Sequence, residues 1–330
     1  MIEQILKKSL KAVSLTTIAF ACMGGANANT ARPAEFPDKP ITIVVPFGPG
    51  SGSDVYARYF GDKLSKKINQ PVIVENKPGG GGAVAALAVY AKPADGLTIL
   101  LGSNSPMAVN VSTYNELRYN PLKQFIPLSG LSRSMAVVIV PNDSSIKNVE
   151  DLVNRGQQQP ILNMGTYSTG YELGVAGFVK EAGFNWQVVP YKGLSQTTSD
   201  VIGKQLDVAV IDTPGTTKII AGGQVRAVAV TGTSRHPELP DVPTLKEQGF
   251  KNAVHYSWTS LWLKAGTPQS TQKYLSENLI EVMSEDASKE FVANNSGEIM
   301  PLAPEELRKF QVEEIERFKT AAEQTNFTKL

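Results

Sequence analysis

Gly48, Gly50 and Gly52 alternate with Pro49 and Ser51 just ahead of Ser53 and Asp54. The apolar β-branched run Ile41 to Val45 stops at Pro46, immediately before them. Glycines at this spacing let a backbone turn tightly and bring its N–H groups close to a ligand. Ser53 or Asp54 stands where a helix would begin. Residues 41–54 therefore predict a buried strand, a tight loop and a helix N-terminus. Such a junction aims backbone N–H groups and the positive end of a helix dipole at one point. It can hold a carboxylate, sulfate or phosphate with no charged side chain. The candidate contacts are Phe47, Gly48, Gly50, Ser51, Gly52, Ser53 and Asp54; the alternative is a tight turn with only a structural role.

Nucleotide chemistry does not fit this loop. No G-x-x-x-x-G-K-[ST] pattern supplies a lysine for a β- or γ-phosphate. The G-x-G-x-x-G spacing fails as well, because Ser53 and Val55 stand where the third glycine would be.

Further candidates lie at the ends of other apolar runs. Gly80 belongs to the glycine run 79–82, and Ser103 and Asn104 follow the run 97–102. Gly165, Thr166, Tyr167, Ser168 and Thr169 form a second small-residue loop that closes at Gly170, ahead of a helical stretch. Tyr191 and Asp212 end two more strand candidates, where ligands sit in open α/β sheets; a packed tyrosine and a capping aspartate are the structural alternatives.

Covalent and metal chemistry find little support. Ser168 is not a nucleophile elbow, since Thr166 stands two residues before it. The two histidines are His236, in a proline-rich segment, and His255, ahead of an apolar run. Neither is flanked by the partners a general base needs. Two isolated histidines and a single cysteine, Cys22, show no metal-ligand spacing. No cofactor, metal or catalytic residue is expected.

Strands predicted over 41–46, 71–75, 97–102, 135–140, 162–165, 188–191, 208–211, 225–230 and 258–263 position these groups. They alternate with helices predicted over 53–68, 82–92, 145–155, about 170–182, 196–202, 216–221, 271–283 and 304–325. In the first helix Val55, Tyr59, Phe60 and Leu64 make the expected apolar stripe. Trp258 and Trp262 are expected to serve packing. Near-continuous apolar strands alternating with helices argue parallel sheets covered on both faces. The fold class is α/β, with two lobes that each hold a mostly parallel sheet flanked by helices. The runs 135–140 and 258–263 are the candidate crossings between lobes. Lobe 1 is then discontinuous, 36–135 with 260–330, and lobe 2 is 136–259.

The first 28 residues read as a secretory signal. Lys7, Lys8 and Lys11 precede a short apolar stretch, and Ala26-Asn27-Ala28 fits a small-x-small cleavage site. The alternative is a lipoprotein acylated at Cys22. Removal of 1–28 leaves 302 residues, with 29 basic and 30 acidic side chains in place of 32 and 31. Without a basic block, nucleic acid is not an expected partner.

Several segments together resemble the solute receptors of tripartite tricarboxylate transporters, the TctC/Bug family. They are Phe36-Pro-Asp-Lys-Pro-Ile-Thr-Ile-Val-Val-Pro-Phe, Val74-Glu-Asn-Lys-Pro-Gly79, Pro93-Ala-Asp-Gly-Leu-Thr98, Val189-Pro-Tyr-Lys-Gly193, Arg235-His-Pro-Glu-Leu-Pro-Asp-Val-Pro-Thr244 and Ala265-Gly-Thr-Pro268. The resemblance spans nearly all of 36–325. It implies a periplasmic two-lobe receptor, not an enzyme, that closes on a small organic acid and delivers it to membrane permease subunits. The ligand class is a mono- or dicarboxylate, an aromatic acid or an amino acid. Alternatives are a receptor subunit for a sensor kinase and an enzyme acting on a small organic acid. The resemblance also implies that Phe47 to Asp54 hold one carboxylate, with Gly165 to Gly170 and Asp212 on the other lobe. Two departures stand out. The first loop lacks the family's adjacent glycines, and Tyr171 or Glu172 stands where many members have histidine.

Overall fold

The computed structural model describes residues 36–159 and 161–330. The expected leader, its cleavage site and Cys22 lie outside them. Among the described residues the chain runs β1 (Ile41–Val45), α1 (Gly52–Ile68), β2 (Val72–Asn76), α2 (Ala83–Tyr90), β3 (Thr98–Ser103) and the short helices α3 (Asn110–Thr113) and α4 (Pro121–Gln124). The long strand β4 (Phe125–Pro141) leads to α5 (Val149–Gln158), β5 (Leu162–Thr166), α6 (Thr169–Ala182), β6 (Trp186–Pro190) and α7 (Leu194–Ile202). Next come β7 (Val208–Asp212), α8 (Thr216–Ala221), β8 (Val225–Val230) and β9 (Tyr256–Lys264). The chain ends with α9 (Gln269–Ser284), α10 (Asp286–Ala293), β10 (Glu298–Ile299) and α11 (Pro304–Gln324).

The strands form one continuous path, β2-β1-β3-β9-β4-β7-β5-β6, with β8 and β10 also paired to β4. It contains two parallel triplets, β2-β1-β3 and β6-β5-β7. Between them β4 and β9 pair antiparallel with each other and with their neighbours, so each sheet region is mixed. The 17-residue β4 is the bridge. Its residues up to Met135 pair with β9, and those from Ala136 pair with β7. β4 thus changes partners at the start of the run 135–140. β9 begins opposite that point, with Tyr256 paired to Met135.

The apolar cores follow the same division. One contains Val137, Ile139, Met164, Phe178, Val208 and Ile211. A second packs Ile41, Ile43, Phe60, Leu64, Leu275 and Leu279 on one face of the β1 region. A third, on Val44 and Leu100, holds Met107, Trp258, Trp262, Leu307 and Phe318. Both tryptophans are therefore packing residues. In α1 the buried stripe is Tyr56, Phe60 and Leu64, an i, i+4, i+8 row. Val55 and Tyr59 sit beside it, and the Tyr59 ring stacks 3.7 Å from Phe291.

Most elements fall within a few residues of their predicted bounds. The clearest miss is the first half of β4, where Pro127, Gly130 and three serines, Ser129, Ser132 and Ser134, break the apolar alternation. Two register shifts, between Pro127 and Ser129 and between Gly130 and Ser132, accommodate them. Asn148 caps α5 by accepting from Asp151 N at 2.8 Å, which starts that helix later than predicted.

Gly102 on β3 leaves room for the buried Trp262. A Cβ there would lie 2.5 Å from Trp262 Cδ1 and 2.7 Å from Met107 Cγ. Gly102→Ala should cost about 1–3 kcal/mol through overpacking. Urea denaturation measures this; an unchanged midpoint would refute the tight fit.

Candidate functional site

The loop between β1 and α1 is held by its own polar groups. Gly50 takes φ +83°, a left-handed turn that favours glycine. Ser51 caps α1, accepting from Asp54 N at 3.4 Å while its hydroxyl donates to Gly48 O at 2.9 Å. The Asp54 carboxylate accepts from Gly50 N at 3.0 Å, Arg58 Nη2 at 2.9 Å and Asn76 Nδ2 at 2.9 Å. Burial works to raise the Asp54 carboxyl, but Arg58, Gly50 and Asn76 outweigh it and hold it below the ordinary range. Ser51 and Asp54 therefore build the loop. Ser53, 6% exposed, lies in the same turn, and no hydrogen bond among the described residues engages its N–H or its hydroxyl.

The ends of the other parallel triplet meet this loop. Gly48 N donates to Lys192 O at 2.9 Å, and Gly193 packs against Gly48 backbone with no room for a side chain. Asp212, at the end of β7, reaches the N-terminus of α1, where its Oδ2 accepts from Gly52 N at 2.8 Å. Its Oδ1 accepts from the Tyr167 hydroxyl. The anion position that the glycine pattern predicts is held here by a carboxylate of the protein itself. A side chain at Gly52 would clash with that carboxylate and with Pro214. Burial raises the Asp212 carboxyl to about 6, against the opposing pull of Tyr167 and Gly52 N–H. The rings of Phe47 and Tyr167 meet edge-on at 5.5 Å, and Tyr167 meets Tyr171 the same way.

A third contact joins the end of β3 to the start of α6. Ser105 Oγ and Ser168 Oγ share a 2.7 Å hydrogen bond, and Gly170 N donates to both, at 3.0 and 3.2 Å. Asn104 lies against Gly170, and Thr169 lies against Gly81. Ser105 escaped sequence reading, although the polar run Ser103-Asn104-Ser105 after an apolar strand was a usable signal.

Other predicted residues have different positions. Gly165 and Thr166 belong to β5, so the second loop is shorter than expected. Gly165 faces Leu206, Thr197 and Tyr191. The Tyr191 hydroxyl donates to Asp200 at 2.5 Å, within its own sheet region. Gly80, at φ +55°, lies near Ala83 and the Tyr114 hydroxyl. His236 Nδ1 accepts from Glu238 N at 3.1 Å, and its Nε2 lies 3.3 Å from Ser296 O. His255 is buried beside Gly174 and Phe318, and burial lowers its imidazole to about 3. Among the described residues no group of three or more His, Cys, Asp or Glu forms a metal cluster.

Two parallel triplets whose carboxyl ends meet across one junction define an α/β fold, and in open α/β sheets ligands sit outside such strand ends. Residues 56–327 match the family model for the tripartite tricarboxylate transporter family receptor. The chain belongs to this family. It is 32% identical, over 80% of its own length and 80% of the relative's, to the UPF0065 protein in the tcbD-tcbE intergenic region of Pseudomonas sp. (strain P51). Among solved structures it is similar to the periplasmic binding protein BugD, at 27% identity and a TM-score of 0.85, covering 89% of this chain and 100% of BugD. It is also similar to R. palustris Rpa4515 with adipate, at 26% identity and a TM-score of 0.86, covering 89% of this chain and 100% of that one. The two-lobe periplasmic binding fold follows from these matches.

The raised Asp212 carboxyl fixes the sign of a pH effect. The folded state keeps its proton up to about pH 6, whereas the unfolded chain loses it near 3.8. Its contribution to stability therefore falls as pH rises from 4 to 6. Asp212→Asn removes this slope while still offering an acceptor to Gly52 and a donor to Tyr167. Its stability relative to the unsubstituted protein should rise by about 2–3 kcal/mol between pH 4 and pH 7. Urea denaturation of both proteins at the two pH values checks this; a constant difference would refute it.

Proposed function

We propose that this chain is a periplasmic receptor that captures a small organic carboxylate between its lobes and delivers it to membrane permease subunits. It binds its ligand without making or breaking bonds. The lobes are assigned as residues 36–135 with 260–330 and residues 136–259. The reading is supported by family membership and by the adipate in the Rpa4515 structure. The observation that carries it is the N-terminus of α1. There Gly52 N–H already binds a carboxylate, that of Asp212, and the neighbouring Ser53 N–H and hydroxyl have no hydrogen-bond partner among the described residues.

As the lobes part, Asp212 leaves with its own lobe and exposes Gly52 N–H beside Ser53. A ligand carboxylate takes these donors, supported by the helix dipole. Closure over the ligand then shifts the population toward the closed state. Of the sequence candidates, Phe47, Gly52, Ser53, Tyr167, Ser168, Thr169 and Asp212 are assigned to this cleft. Gly48, Gly50, Ser51 and Asp54 shape it.

A thermal-shift screen of organic acids, adipate included, tests the reading. A bound acid raises the melting temperature by stabilising only the folded state. No shift with any acid at millimolar concentration would overturn the proposal. Ser53→Ala should weaken binding of an acid so identified by about 10- to 100-fold, since a hydrogen bond to a charged group is worth about 1.5–3 kcal/mol. Stability without the acid should not change, because that hydroxyl has no partner to lose. Calorimetry on both proteins decides.

A further inference from the structure

Three buried polar atoms near the junction lack a hydrogen-bond partner among the described residues: Ser103 Oγ, Asn104 Nδ2 and Asn110 Oδ1. Their residues are 3%, 2% and 0% exposed. An unpaired buried polar group costs about 1–3 kcal/mol, and native proteins keep few of them. Three within the stretch 103–110 are a concentration that calls for an occupant.

The positions of the two amides are set, and Ser103 directly precedes Asn104 at the end of β3. Asn110 Nδ2 donates to Gly81 O at 3.0 Å and to the Tyr119 hydroxyl at 3.1 Å, which fixes the direction of its Oδ1. A Cβ on Gly81 would lie 3.1 Å from Asn110 Oδ1 and 2.7 Å from Thr169 Oγ1. A Cβ on Gly170 would lie 2.5 Å from Asn104 Nδ2. Both amides therefore border the Thr169–Gly170 step, which Ser105 ties to the end of β3.

The three atoms are one acceptor, one donor and one hydroxyl that serves as either. A carboxylate offers only acceptors and would face Asn110 Oδ1 unfavourably. Arg58 is engaged by Asp54 and the Lys192 side chain is exposed, so neither compensates. A hydroxyl or primary amide both donates and accepts. We propose that Ser103, Asn104 and Asn110 form the selective end of the ligand site. They favour an organic acid whose far end carries a neutral hydroxyl or primary amide over the dicarboxylate of the same length. This rests on the carboxylate-receptor reading above.

Matched probes test it on the full chain: succinate, succinamic acid and 4-hydroxybutyrate, and adipate, adipic acid monoamide and 6-hydroxyhexanoate. In at least one set the amide or hydroxy acid should bind tenfold or more tightly than the dicarboxylate, read by calorimetry. Asn104→Ala and Ser103→Ala should each reduce that preference to less than threefold. Their melting temperatures without ligand should stay the same or rise, because each removes an unpaired buried group. A dicarboxylate that binds as tightly as its partners, or a preference that survives both substitutions, would overturn this inference and leave the carboxylate reading standing. Failure of all six acids, and of every other acid screened, would overturn both.

Discussion

The buried carboxylate of Asp212 on the N-terminus of α1 is the contact around which the junction is arranged. A carboxylate cannot be buried cheaply without partners. Asp212 is 3% exposed, and no lysine or arginine among the described residues bonds to it. Its partners are a backbone N–H, a tyrosine hydroxyl and the dipole of a 17-residue helix. Hydrogen bonds to a charged group contribute about 1.5–3 kcal/mol each, and a favourable helix end adds up to about 2. These gains fall short of the burial penalty, which is why the carboxyl remains raised rather than lowered. The contact also dictates local sequence: Gly52 must lack a side chain, and Tyr167 must point back toward β7.

A junction made of backbone donors and hydroxyls behaves differently from one made of arginines. Arginine would offer a strong bidentate partner to an incoming carboxylate. Amides, hydroxyls and a helix dipole give weaker, more directional attraction, and a protein carboxylate can stand in for the ligand's. That suits a site which must fill and empty. It also places selectivity in donor and acceptor geometry, as at Asn104 and Asn110, rather than in net charge.

Much of the architecture was legible in the sequence because strands buried on both faces are continuous apolar runs ended by proline or glycine. Ile41–Val45, ended by Pro46, and Met135–Val140, ended by Pro141, are examples. The first half of β4 was not legible, because its serines bond across to β9, as Ser132 does to Thr259 at 2.7 Å. That partner is far away in the chain. The glycine loop predicted an anion position, and an anion is there. Nothing local could reveal that the anion is Asp212, 160 residues from Gly52. Tyr191 and Asp212 looked equivalent as residues at strand ends. Their difference arises from Asp200, in the second turn of α7, which claims the Tyr191 hydroxyl.

The same geography bears on how the two sheet regions can separate. Their apolar cores are largely distinct: Phe47 is the residue from the β1 region that joins the β5–β7 core, and Leu173 makes the reverse crossing. The other junction contacts described are polar: Gly48 to Lys192, Gly52 to Asp212, and Ser105 with Ser168 and Gly170. Each of these bonds can be exchanged for one to water at small net cost. The proposed opening would bend β4 near Met135, where its pairing passes from β9 to β7, and would withdraw Phe47 and Leu173 from the cores they cross into. Apolar packing makes each region rigid, and polar contacts make the boundary between them reversible.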